Sequence, residues 1–211
     1  MFLLQATQAG FGTHLLDTLK QWDTWLFLKI NNDWTNPFLD SVYPLWREAN
    51  TWIPLYFFLL LFMLMNFGLK CWPWIVFLLL GFALTDQCSN FFKVLVNRPR
   101  PCYDDALFGQ ARLLLGRCPS SQSFTSSHAT NHFGLAMFLY LTLKPVIRKW
   151  GLLFFVWAAT ISYGQVYVGV HYPLDVAAGT LLGCLLGFMN GSFFNRRIGL
   201  PPLKEQPTVH S

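Results

Sequence analysis

Five stretches of this chain are long enough, and free enough of charge, to cross a lipid bilayer, and nothing else in the sequence constrains the fold as tightly. A spanning helix needs about 20 mostly apolar residues, because the hydrocarbon interior offers no partner to an open backbone. Residues 52–69 carry no charge, 71–92 carry a single acid, Asp86, and 128–143 is short but apolar after its first turn. Residues 150–170 and 176–194 complete the set. Only helices that satisfy their own backbone fit such runs, so the fold class expected is an all-α integral membrane protein with about five transmembrane helices in one bundle. Composition agrees. Charged residues make up 12% of the 211, against about 25% in a soluble domain. A disordered chain, a secreted disulfide scaffold and an ordinary soluble enzyme are poor fits.

The first fifty residues read differently. Leu15, Leu19, Trp22, Leu26 and Ile30 recur at helical spacing, while Asp17, Lys20, Asp23 and Lys29 interrupt any long apolar run. That pattern fits N-terminal amphipathic helices lying in the bilayer interface; a helix packed across the outer face of the bundle is the alternative. Asn31-Asn32-Asp33 should end the first helix, and Pro37 should start a second, short one toward Arg47. The expected division is a single membrane domain over 1–198, with interfacial helices in 1–50 and the bundle in 51–195. A loose, proline-containing tail would follow over 199–211. Met1 to Leu4 is too short an apolar run for a secretory leader, so insertion is expected to rely on the internal segments.

Charge gives the orientation. Five passes put 1–50, the 97–127 loop and 171–175 on one side. The other side then holds Lys70, Lys144, Arg148, Lys149, Arg196, Arg197 and Lys204 against one acid, Glu205. Basic loops stay in the cytoplasm, so the C-terminal tail is expected there, in a bacterial cytoplasmic membrane, with the 97–127 loop outside. The net charge of +5 is too scattered for a nucleic-acid partner. It reads as topology plus a site for an anion. Gly179, Gly183, Gly187 and Gly191 fall four apart on one face of the last run. Such a stripe lets helices approach closely, within the bundle or in a dimer.

Three polar clusters meet at the outward face. Lys93, Arg98 and Arg100 form a cationic group suited to phosphate, although basic side chains also snorkel at interfaces. Ser126 can cap the helix that begins at Ser127, where free backbone N–H groups attract anions and His128 could donate a proton. Pro173 suits the first turn of another helix, with His171 just ahead of it and Asp175 inside the turn, close enough to bond. A carboxylate holding one imidazole nitrogen leaves the other free for attack. No cluster has metal-ligand spacing, and no cofactor is expected.

Together the three clusters resemble the type 2 phosphatidic acid phosphatase (PAP2) superfamily, whose pattern is K-x6-R-P, then P-S-G-H, then S-R-x5-H-x3-D. Lys93 and Arg100-Pro101 match the first motif in register, Ser126 and His128 the second, and His171 and Asp175 the third. The resemblance covers roughly residues 50 to 190. Thr125 and Ser127 replace the Pro and Gly of the second motif, and Gly164-Gln165 replaces the Ser-Arg of the third. The missing Arg normally helps neutralise the transferring phosphoryl group; Arg98, Arg112 or Arg117 could compensate.

The resemblance implies a metal-independent lipid phosphatase. His171 would attack phosphorus and form a phosphohistidine, with Asp175 orienting the ring and His128 protonating the leaving oxygen. Lys93, Arg100, Arg98, Ser126, Ser127 and Gln165 would hold the phosphoryl oxygens. A small body with an outward site looks like the bacterial undecaprenyl diphosphate phosphatases. Phosphatidylglycerophosphate, lipid A phosphate and a lipid-to-lipid phosphotransfer are the alternatives. Gln165 is the argument for a different class, a lipid-phosphate-binding protein that has lost catalysis. A pore is disfavoured, since the polar groups gather at one face. Cys102 and Cys118 share the outward loop, where an oxidising exterior permits a disulfide, worth on the order of 3 kcal/mol in the chain-entropy model. Asp86 would either orient the site or bond a neighbouring helix, and His132, one turn past His128, would line a cavity or serve structure.

Overall fold

Each apolar run becomes a helix in the computed structural model, which describes residues 2–202, with side chains from Thr13 onward. In chain order the helices are α1 (Phe2–Leu28), α2 (Pro37–Trp46), α3 (Ile53–Phe67), α4 (Trp72–Val96), α5 (Ser127–Ile147), α6 (Leu153–Tyr167) and α7 (Pro173–Arg197). No strand occurs among the described residues. Residues 203–211, most of the expected tail, lie outside them. Proline opens α2, α3, α4 and α7 in the first turn, where its missing N–H costs nothing. Ser126 caps α5, its hydroxyl accepting from the Ala129 N–H at 3.4 Å.

By length and composition two stretches could cross a membrane: Ala49–Leu107, which contains α3 and α4, and Pro173–Arg197. The outer surfaces agree with a lipid environment. Phe57, Phe58 and Met65 of α3, Leu79 and Phe91 of α4, and Leu181 and Phe188 of α7 are all exposed. Water would penalise so wide an apolar face, and hydrocarbon does not.

The glycine stripe of α7 is a seam inside the bundle. A Cβ on Gly183 would lie 2.3 Å from the carbonyl oxygen of Thr130, and one on Gly187 would lie 2.3 Å from that of Gly134, so α7 and α5 touch backbone to backbone. Gly187→Ala must therefore push the helices apart, at a cost of roughly 1–3 kcal/mol. The expected result is a melting temperature in detergent lower by several degrees; an unchanged one would show that the seam is loose.

The N-terminal segment forms two helices with a break close to the expected place. A single wide turn over Lys29–Asp33 ends α1, and Asn36 caps α2 by accepting from the Leu39 N–H at 2.9 Å. Of the expected apolar stripe, Leu15, Leu19 and Trp22 point outward and only Ile30 is buried. Asp23, by contrast, is buried, because it accepts from the Leu174 N–H at the start of α7, at 2.8 Å. Helix α2 lies along α6. Tyr43 packs on Gly164, where a Cβ would meet the Tyr43 ring at 2.8 Å. Trp46 Nε1 donates to Thr160 Oγ1 at 3.0 Å, and Tyr167 donates its hydroxyl to Asp40 at 2.6 Å. Residues 40, 43, 46 and 47 form one helical face, so the same packing turns Arg47 inward.

Candidate active site

The site forms where the loop after α4, the start of α5 and the turn between α6 and α7 converge. That turn is fixed by Gly169 at φ +89°, where a Cβ would collide with the Arg112 carbonyl oxygen at 2.0 Å. Behind it, the Gln165 carbonyl accepts from the N–H groups of Val170 and His171. His171 is thereby held almost fully buried, 2% exposed, with its Nε2 3.1 Å from a terminal nitrogen of Arg100.

Asp175 lies 3.7 Å from His171 Nδ1, an ion-pair distance too long for the direct bond expected from spacing. Ser123 stands between them. Its hydroxyl is 3.4 Å from Nδ1 and donates to Asp175 Oδ2 at 2.5 Å. The carboxylate is pinned elsewhere as well, accepting from the Tyr172 N–H at 2.9 Å and from Arg98 at 2.8 Å. Asp175 thus orients the imidazole through a serine.

Arg98 does not sit where a phosphate ligand was expected. Its two terminal nitrogens donate to Asp175 at 2.8 Å and Asp23 at 2.6 Å, and its guanidinium lies over the Tyr172 ring at 3.9 Å. Two buried carboxylates outcompete an open site for those donors, so Arg98 anchors Asp175. Nor does Arg112 compensate for Gln165, since it donates to Asp40 at 2.7 Å and to the Asn31 carbonyl.

Arg100 and Lys93 are buried, each held by backbone carbonyls. Arg100 donates to the Ser121 carbonyl at 2.7 Å and the Val170 carbonyl at 3.0 Å, and Lys93 donates to the Thr125 carbonyl. Ser126 is consumed by capping, and the Ser127 hydroxyl bonds that of Ser89 at 2.9 Å. The contribution left to this segment is its helix-start N–H groups. The His128 ring makes no hydrogen bond among the described residues and opens onto a cavity of about 570 Å³ between α3, α4 and α5, lined mostly by apolar side chains.

The residue that sequence reasoning missed is Arg47. It is 6% exposed, and its Nε donates to Gln165 Oε1 at 3.1 Å. One terminal nitrogen pairs with Glu48 at 2.5 Å, and Nη2 has no protein partner among the described residues. A guanidinium thus occupies the neighbourhood from which the third motif lacks one. The signal was available, since Gly164-Gln165 is a double departure and Arg47 ends a helix on the same face.

Burial, the Arg47 guanidinium and desolvation among these cations depress neighbouring basicity. Arg100 falls to about 10, first through burial and then through Arg47. His171 falls to about 4, through burial and then the charges of Arg100 and Lys93, against the raising effect of Asp175. Its ring is therefore neutral above about pH 4 and charged below. In ¹⁵N-histidine-labelled protein, with His171→Ala for assignment, the ring is expected to stay neutral down to about pH 5. Titration at 6 or above would contradict this.

Cys102 and Cys118 are joined by a disulfide across the loop that carries Arg100 and Ser121, with Cα atoms 6.0 Å apart. Asp86 accepts from Asn131 of α5 at 3.2 Å, an interhelix bond, and His132 lines the cavity.

Comparison with known proteins places this geometry. A sequence model described as the PAP2 superfamily matches residues 74–198. A lipid A 4'-phosphatase of Bacteroides thetaiotaomicron is 33% identical over 83% of this chain and 78% of that protein. An undecaprenyl-diphosphatase of Sulfolobus acidocaldarius is 35% identical over 54% of this chain and 52% of that one. Among solved structures, the first transmembrane PAP2 type phosphatidylglycerolphosphate phosphatase from Bacillus subtilis superposes with a TM-score of 0.64 at 25% identity, covering 85% of this chain and 88% of that one.

Proposed function

The chain belongs to the PAP2 superfamily and is a membrane lipid phosphatase; from that premise we propose that it removes phosphate from a lipid A-type amphiphile through a phosphohistidine on His171, with no metal ion. The observation that carries the mechanism is the buried His171 with Nε2 facing Arg100 at 3.1 Å, while His128 lines an apolar cavity. The Nε2 lone pair forms the N–P bond as the P–O bond to the lipid breaks. His128 gives a proton to the leaving oxygen. Water then attacks phosphorus, His128 takes its proton, and the N–P bond breaks to release phosphate. Arg100, Lys93, Arg47 and the helix-start N–H groups at 127 and 128 neutralise the equatorial oxygens. Such sites act mainly by positioning and charge stabilisation.

Lipid A-type substrate is favoured by the relative with long coverage on both chains. Undecaprenyl diphosphate is the second reading, favoured by the Sulfolobus relative. Five passes over α3–α7, supported by the apolar runs, and α1 and α2 at the interface are part of this reading; an extracytoplasmic site and a cytoplasmic C-terminus are supported by the charge count. Phosphate release in detergent with EDTA tests the proposal on lipid A, undecaprenyl diphosphate and phosphatidylglycerophosphate. Lipid A is expected to give the highest kcat/KM. Loss of activity in EDTA would sink the metal-free mechanism, and a faster polyprenyl substrate would reverse the ranking.

A further inference from the structure

One patch of the cavity wall is polar. It comprises Asp86 of α4 with Asn131 and His132 of α5. Asn131 Nδ2 and Asn90 Nδ2 donate to the two oxygens of Asp86, at 3.2 and 3.0 Å. His132 Nδ1 is 2.8 Å from the His128 carbonyl, which can only accept, so the proton of the neutral ring sits on Nδ1 and Nε2 is bare. The atoms left over are acceptors. Asn131 Oδ1 and His132 Nε2 are buried with no hydrogen-bond partner, His132 being 6% exposed, and the Asp86 carboxylate retains unused lone pairs. Leaving a buried acceptor unpaired is costly, and the two orphaned ones beside the half-buried Asp86 carboxylate call for donors.

Their depth says what kind. Asn131 and His132 lie one helical turn below His128, about 5 Å, and Asp86 lies seven residues before Lys93, about 10 Å along α4. At that distance from the phosphorus, a polyprenyl chain has only hydrocarbon, and a diacylglycerol has ester oxygens that would face acceptors. An N-acylated amino sugar has amide N–H and hydroxyl groups there. We propose that Asp86, Asn131 and His132 form a substrate subsite that takes the N–H and O–H donors of an N-acylated amino-sugar phosphate just beneath its phosphate. This rests on the lipid A-type reading above and gives it a structural cause.

The test needs two synthetic acylated sugar phosphates, alike except that one has amide-linked hydroxyacyl chains and the other ester-linked chains without hydroxyls. Undecaprenyl diphosphate serves as the third substrate. With the unaltered protein in EDTA, the donor-bearing sugar lipid is expected to have a kcat/KM at least about ten-fold above its donor-free twin, the effect of roughly one buried hydrogen bond. In Asn131→Leu and His132→Phe that ratio is expected to collapse toward one, with melting temperature as the folding control. Equal rates on the two sugar lipids with the unaltered protein would overturn the subsite and leave the parent reading standing. A water molecule filling the patch gives this result. Undecaprenyl diphosphate faster than both sugar lipids would overturn the two together, as would no release from any of the three.

Discussion

His171→Ala is expected to abolish phosphate release, lowering kcat by about 10⁴-fold or more, with substrate binding retained. Loss of a nucleophile in a covalent mechanism typically costs on this scale, and the uncatalysed hydrolysis of a phosphate ester is too slow to mask it. The geometry leaves no substitute. His128 lines the apolar cavity from the first turn of α5, and Ser123 is fixed between Nδ1 and the Asp175 carboxylate. A quenched reaction with ³²P-labelled lipid separates nucleophile from mere ligand. The unaltered protein is expected to carry an acid-labile, alkali-stable label, and His171→Ala none. His128→Ala, lacking the acid but not the nucleophile, should lose about 10²–10⁴-fold in turnover. Residual turnover in His171→Ala within a hundred-fold of normal would exclude attack by this residue.

The parts of this molecule that were legible in the sequence are those carried by local pattern. The apolar runs foretold α3 to α7, Pro173 and Ser126 marked helix starts, and the four-residue glycine period marked the α5–α7 seam. Motif spacing brought Lys93, Arg100, His128, His171 and Asp175 to one end of the bundle. What escaped is carried by side chains far apart in the chain. Asp23 pairs with Arg98 across 75 residues, and Arg47 meets Gln165 across 118. An isolated charge in an amphipathic segment gives no sign of its partner, so Asp23 read as an interruption and Arg98 as a phosphate ligand. The His171–Asp175 pair was misjudged by less than an ångström of reach, because spacing along a helix start cannot reveal that a loop serine will fill the gap. Depth in the groove was equally hidden. Asp86 was visible as an intramembrane acid, but that Asn131 Oδ1 and His132 Nε2 near it are left without partners depends on rotamers.

In the proposed mechanism the guanidinium of Arg47 stands in for the arginine that the third motif lacks, and the strongest consequence is a rescue. Removing a preorganised charged donor from a transition-state oxygen costs about 2.7–4 kcal/mol, so Arg47→Ala is expected to lower kcat/KM by about 10²–10³. Arg47→Lys keeps the charge but loses the planar fork and the Nε bond to Gln165, and should fall between. Gln165→Arg in the Arg47→Ala background returns a guanidinium to the motif position, in a pocket that has lost the competing cation. It is expected to recover at least ten-fold. In the otherwise unaltered protein the same change crowds a second cation against Arg47 and Arg100, whose basicity burial and Arg47 already depress, and no gain should follow. A gain from one substitution in the Arg47→Ala background and none in the unaltered one is the readout that a purely structural role could not produce. If Arg47 only seated α2 on α6, Tyr43, Trp46 and Asp40 would still do so, and Gln165→Arg would rescue nothing. Near-normal kcat/KM in Arg47→Ala would return the missing charge to the list of unsolved features. Rescue would instead mean that the neutral residue at 165 is functional because the N-terminal helix brings the cation in.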